Sequence, residues 1–222
     1  MTLTRRCLLF SLCIIGGILM TLLTGCQDKR NSREWLENKV SEVNRVYPKE
    51  NLFDLFKEFP EGFTIHQNLD KGDNMVIMTL IGNKDSNTIS GTLVQKDLST
   101  KEEKVTTSIS VDYRKNGDFI YSNSEKAKEI WPFGKFLFQD LTIDKMFLSD
   151  LKLKGTSYNW QNGAFNISYD IENSLINKYM MKGKQEQAIL KIGSTNSNKD
   201  IYSYAVSIKY KDGTDLLEMI SN

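Results

Sequence analysis

Cysteine is scarce in this chain and gathered at one end. The 222 residues hold Cys7, Cys13 and Cys26 and none beyond. Disulfides, thiol nucleophiles and thiolate metal sites are therefore excluded from everything after Cys26, and stability there must come from packing. Histidine is scarcer still. His66 is the only one, so a histidine-rich metal centre is impossible and the zinc-protease pattern is missing. No glycine-flanked serine elbow accompanies His66 to suggest a nucleophilic triad. Pro48, Pro60 and Pro132 are the only prolines, and no Pro- or Gly/Ser-rich linker divides the chain. Charge of one sign is also lacking, with 29 basic against 28 acidic side chains, which gives no support for nucleic acid or for steering onto anionic lipid. Finally, no apolar run is long enough for a bilayer crossing. The one from Cys7 to Leu23 falls short of the roughly 20 residues needed and is interrupted by Gly16, Gly17 and Thr21.

What that run does fit is an export signal. Arg5 and Arg6 supply the basic start, the run supplies the apolar core, and small residues precede Cys26. Its ending, Leu23-Thr24-Gly25-Cys26, resembles a bacterial lipobox. That resemblance implies a diacylglycerol on the Cys26 sulfur and removal of residues 1–25, leaving 27 basic and 28 acidic side chains on a 197-residue product. Multiple acyl chains anchor far more firmly than one. The expected organisation is a lipoprotein signal peptide over 1–25, a lipidated polar tether over 26–31 and one extracellular domain over 32–222.

Periodicity predicts the domain's elements. Asn31 with Glu34 fits a capping box, and Leu36, Val40, Val43 and Tyr47 form an apolar stripe on a helix from about Ser32 to Asn44. A second short helix is expected over 52–59, capped by Asn51, and a third around Leu141 to Leu151 with Asp140 in its first turn. From Phe63 the period shifts toward two. Met75 to Ile81 is apolar on both faces, as in a strand covered on both sides. Thr88 to Gln95, Val105 to Tyr113, Asp118 to Tyr121, Phe165 to Ile171, Gln187 to Ile192 and Tyr202 to Tyr210 follow as strands. Asn116-Gly117, Asn162-Gly163, Asn196 to Lys199 and Asp212-Gly213 read as turns. Asp70, Asp73 and Asn74 lack the spacing of a calcium loop and also read as a hairpin turn. The fold class is α+β: a curved antiparallel meander with N-terminal and central short helices on one face.

Three surfaces compete as interaction sites. Trp131, Phe133, Phe136 and Phe138 crowd into eight residues and fit core beneath the sheet better than a cleft for a hydrophobic ligand or partner, with Trp131 beside Pro132 the most plausible exposed member. The tyrosine row Tyr202, Tyr204 and Tyr210 fits core packing better than a binding face. Lys178, Lys182, Lys184 and Lys191 read as a solvated basic loop lacking an arginine fork. The acidic pairs Glu102/Glu103, Asp140/Asp144 and Glu58/Glu61 carry no cleft geometry in sequence. No enzyme, cofactor or metal is expected; an extracellular hydrolase ranks last among the alternatives.

The segment Val46-Tyr47-Pro48-Lys49-Glu50-Asn51-Leu52-Phe53-Asp54-Leu55-Phe56, with Lys71-Gly72-Asp73, the strand holding Met75 to Leu80, Phe133-Gly134-Lys135-Phe136 and the strand near Phe165 to Tyr169, resembles the tandem-type lipoproteins of staphylococci and related Gram-positive bacteria. The resemblance implies a lipoprotein on the outer face of the cell membrane. It implies host-cell contact and innate immune stimulation through the acylated N-terminus, with a host protein or innate immune receptor as partner, and no agreed enzymatic activity. The chain lacks the long charged C-terminal tail of some members, which leaves open the roles tied to the protein moiety. The alternative is a hydrophobic-ligand or lipid carrier at the envelope.

Overall fold

The computed structural model describes residues 29–99, 102–195 and 201–222. Ten strands form one antiparallel sheet: β1 (Gly62–Lys71), β2 (Asn74–Asn83), β3 (Thr88–Asp97), β4 (Lys104–Tyr113), β5 (Phe119–Tyr121), β6 (Lys152–Tyr158), β7 (Phe165–Ile171), β8 (Ala188–Ser194), β9 (Ser203–Tyr210) and β10 (Asp215–Ser221). Their spatial order is β5-β4-β3-β2-β1-β10-β9-β8-β7-β6. Each half of the chain is thus a five-strand meander, and the first strand pairs with the last in register from Thr64↔Ser221 to Asp70↔Asp215. With five short α-helices, α1 (Arg33–Val40), α2 (Leu55–Glu58), α3 (Ser124–Ile130), α4 (Lys145–Ser149) and α5 (Ser174–Tyr179), the class is α+β.

Turn chemistry acts where it was expected. Asn116-Gly117 closes β4 onto β5 with Gly117 at φ 94, a conformation that costs a residue without a Cβ little. Asp70 accepts a hydrogen bond from the Gly72 N–H at 3.0 Å, so these acids shape a hairpin. The helix boundaries shift from the sequence reading. Ser32, not Asn31, caps α1 through the Trp35 N–H, and the helix tightens into a 3₁₀ segment over Ser41–Arg45. The helix α4 starts only at Lys145, so Asp140, expected in its first turn, lies before it, and Asp144 caps it by accepting from the Phe147 N–H at 2.7 Å.

Every second residue of the central strands is buried, and the helices supply the residues that meet them. Trp35 of α1 lies edge-on to Phe165 of β7 at 6.1 Å, and Phe59 packs on Tyr202 at 5.1 Å. The Tyr204 hydroxyl donates to the Lys39 carbonyl at the end of α1. The other alternating set, including Met75, Ile77 and His66, is only half-buried, and Ile81 is 54% exposed. The two-sided cover expected for Met75 to Ile81 is therefore lacking at Ile81. In β4 the expected inward row loses its first member: Val105 is 56% exposed while Ile109, Val111 and Tyr113 are buried. The start of β4 and the end of β3 project past the packed layer, with a bulge at Gln95/Lys96.

The two sheet edges are blunted differently. At one, β5 is only three residues long. At the other, β6 carries a bulge between Leu153 and Gly155, and Lys152 and Lys154 both pair with Asp170.

Candidate functional site

Under the central strands lies a buried polar cluster. Gln67 of β1 and Glu218 of β10 face each other in register, and both point into the core. Glu218 is fully buried. One carboxylate oxygen accepts from Gln67 Nε2 at 2.8 Å and from the Leu137 N–H at 2.7 Å. The other accepts from the Tyr47 hydroxyl at 2.7 Å and the Phe138 N–H at 3.0 Å. Four donors thus meet the roughly four lone-pair positions of a carboxylate. The cluster continues outward: Trp131 Nε1–H donates to Gln67 Oε1 at 2.8 Å, and Gln67 Nε2 also donates to the Tyr179 hydroxyl, which donates to the Lys135 carbonyl.

This arrangement explains the aromatic density of residues 131–138. The core reading of this cluster holds even for Trp131, its most plausible exposed member, which is 3% exposed with its indole N–H donating to Gln67. Phe136 is also buried, stacked on Phe138 at 5.5 Å. Phe133 is half-buried, with its ring parallel to Tyr179 at 4.6 Å. Gln139 braces the turn by accepting from the Phe136 N–H at 2.9 Å and donating to the Glu50 carbonyl at 2.6 Å. A surface formed by Trp131 and Phe136 is therefore ruled out, since both rings are consumed by packing.

Burial pushes the Glu218 carboxyl up to about 7, with the four donors pulling against that rise. The same burial, with Glu218 beside it, holds the Tyr47 hydroxyl well above its ordinary value. A perturbed acid often marks catalysis, but a general base must reach a substrate proton. Glu218 has no exposed surface, and its two oxygens already take four hydrogen bonds. Its chemistry is that of a brace joining β1, β10, Tyr47 and the 131–138 turn.

The remaining candidates sort as follows. Tyr202, Tyr204 and Tyr210 are buried in the core. Lys182 is held by Asp212 and Thr214 and lies over the Tyr210 ring, while Lys191 is exposed on β8. Among the acids, Asp140 pairs with Lys135, Glu103 with Lys96, Glu61 with Lys84, and Glu58 with both Arg45 and Lys49. His66 hydrogen-bonds Thr79 at 2.9 Å, and partial burial lowers its pKa. No cluster of three or more candidate metal-binding side chains occurs among the described residues.

On the face of β7 to β10 turned away from Glu218, a groove of about 560 Å³ is lined by residues including Asn166, Gly193, Ala205, Ser207, Leu217 and Met219. These belong to the outward-pointing set of the strands, which sequence alone did not bring together. The anchor residues Arg5, Arg6, Leu23, Thr24, Gly25 and Cys26 lie outside the described residues, as does the turn Asn196 to Lys199. Lys29–Asn31, expected as tether, form a 3₁₀ turn instead. Arg30 lies 4.9 Å over the Tyr158 ring at the end of β6, and Arg33 donates to the carbonyls of Leu148, Ser149 and Leu151. No helix among the described residues is long and apolar enough to cross a membrane. No protein-family model and no curated protein matches this chain.

Proposed function

We propose that this chain is a lipid-anchored lipoprotein on the outer face of a Gram-positive cell membrane, its domain a curved sheet with helices on one face that acts as an interaction module. The observation that carries the reading is the Arg5-Arg6 start, the interrupted apolar run and the Leu23-Thr24-Gly25-Cys26 ending, followed by only two residues before Lys29 enters the fold. No cysteine follows Cys26, so the domain offers it no disulfide partner. Contact with a host protein or innate immune receptor follows from the family resemblance.

The test is Cys26→Ala in the full chain, expressed in a Gram-positive host. Fatty-acid labelling and membrane retention are expected to be lost, while the released domain keeps the melting temperature of the wild type. Continued lipid labelling of the variant would overturn the assignment.

A second reading, a carrier of a hydrophobic ligand, is favoured by the groove of about 560 Å³ on the outward face, a volume within the usual range for small-molecule sites. Its check is native mass spectrometry of protein purified from membranes. A bound lipid that is lost on Leu217→Asp supports a carrier; protein free of lipid removes that reading.

A further inference from the structure

Trp160 is 74% exposed, unlike Trp131, which is buried, and Trp35, which packs against the core. It stands at the tip of the β6–β7 hairpin, and the tip is firmly built. The Asn159 N–H donates to the Ala164 carbonyl at 2.7 Å and the Gly163 N–H to the Asn159 carbonyl at 2.8 Å. Asn159 and Asn162 side chains accept from the Gln161 and Ala164 N–H groups at 2.9 and 3.0 Å. An indole is thus held out into solvent by a turn with its backbone bonds satisfied, although exposing so large a ring is unfavourable.

The same hairpin is bolted to the start of the domain. Arg30 lies over the Tyr158 ring and its Nη1 reaches the Tyr158 hydroxyl at 3.4 Å, while Trp35 meets that ring edge-on at 5.2 Å. Trp160 is two residues beyond Tyr158, so its backbone lies within roughly 7 Å of this contact. Lys29 is three residues from Cys26, a reach of roughly 11 Å at full extension. A diacylglycerol on Cys26 would sit at the boundary of headgroups and acyl chains. That boundary is where tryptophan prefers to lie, with its ring in the apolar margin and its N–H toward water.

Resting on the anchor reading above, we propose that the Trp160 hairpin tip is a second membrane contact, inserting its indole into the lipid interface beside the acylated terminus. The anchor holds the domain at the surface and Trp160 fixes which side faces it. The β6 edge then lies against the bilayer.

The experiment uses acylated full-length protein, purified from its host and reconstituted into phosphatidylglycerol/phosphatidylcholine vesicles. One set of vesicles carries lipids brominated near the glycerol end of the acyl chains, which quench tryptophan only at that depth. The wild type is expected to be quenched on the brominated vesicles. Trp160→Ser, with an unchanged melting curve and unchanged flotation with the vesicles, is expected to lose that quenching. Equal quenching in the two proteins, or emission from Trp160 that stays open to aqueous iodide on vesicles, overturns the proposal and leaves the hairpin to a protein partner. Wild type that carries no acyl mass and fails to float overturns the anchor reading, and this contact with it.

Discussion

Glu218→Ala is expected to destabilise the domain by about 4 kcal/mol, lowering its melting temperature by about 10 °C in a domain of this size. The cost comes mainly from what is left behind. The Tyr47 hydroxyl, one N–H of the Gln67 amide and the Leu137 and Phe138 N–H groups would all lose their acceptor in a buried site. Glu218→Gln keeps the shape but turns one acceptor into a donor facing donors, and about 2 kcal/mol of loss is expected. Urea unfolding of the three proteins measures both. The sign of the pH dependence follows from the raised pKa. Between about 4.5, the ordinary value, and about 7, the folded chain holds a proton that the unfolded chain has released. The Glu218 contribution is thus complete below that window and is lost as pH rises through it. Glu218→Gln should lack this downward slope, and unfolding curves at a series of pH values from 4 to 8 check it, a span set to bracket roughly both values. Parallel slopes in the two proteins would refute the linkage.

Gly91→Ala is the second large effect. Gly91 sits opposite Leu80 in the antiparallel β2–β3 pair, and a Cβ placed there would lie 1.9 Å from the Thr79 carbonyl oxygen and 3.0 Å from the Leu80 Cα. These are backbone atoms, so nothing can rotate away. The two strands would have to part, at a cost of about 2–3 kcal/mol. Gly155→Ala is the control, since its Cβ would meet only the Ser168 hydroxyl at an ordinary 3.5 Å. Thermal melts should place Gly155→Ala within about 0.5 kcal/mol of the wild type. Comparable losses in the two variants would mean that the close approach of β2 and β3 is not what matters.

Much of the sheet was legible because period-two alternation survives wherever a strand has one buried face. Phe165 to Ile171 and Ser203 to Tyr210 show it clearly. At least four elements escaped, one of them α3, whose polar residues read as a loop or a single turn. The edge strand β6 has few apolar residues and a bulge that breaks its alternation. In β10 a glutamate occupies a core position between Leu216 and Ile220, which disguises the strand. The helix α5 follows a side-chain cap at Asn173 but spans only six residues, too few for a periodic pattern. The polar cluster was missed for a related reason. Gln67 between Ile65 and Leu69, like Glu218 between Leu216 and Ile220, is a polar residue in an apolar row, and that break in pattern is the signal that could have found both. Their pairing could not be read, because it joins residues 151 apart in the chain. The burial of the 131–138 aromatics was legible from their density, but not that the end of α3 turns the Trp131 indole inward onto Gln67.

The union of β1 with β10 sets an order of events on a chain that emerges N-terminus first. The first meander can form early, yet its β1 edge must stay open until β10 has appeared. The closing strand β10, which carries Glu218, follows every other described strand in the chain. Late arrival is therefore concentrated at the centre of the sheet, where fraying would be most damaging. A chain cut before β10 would lose Glu218 and leave β1 and β9 each without the neighbour that joins the two meanders.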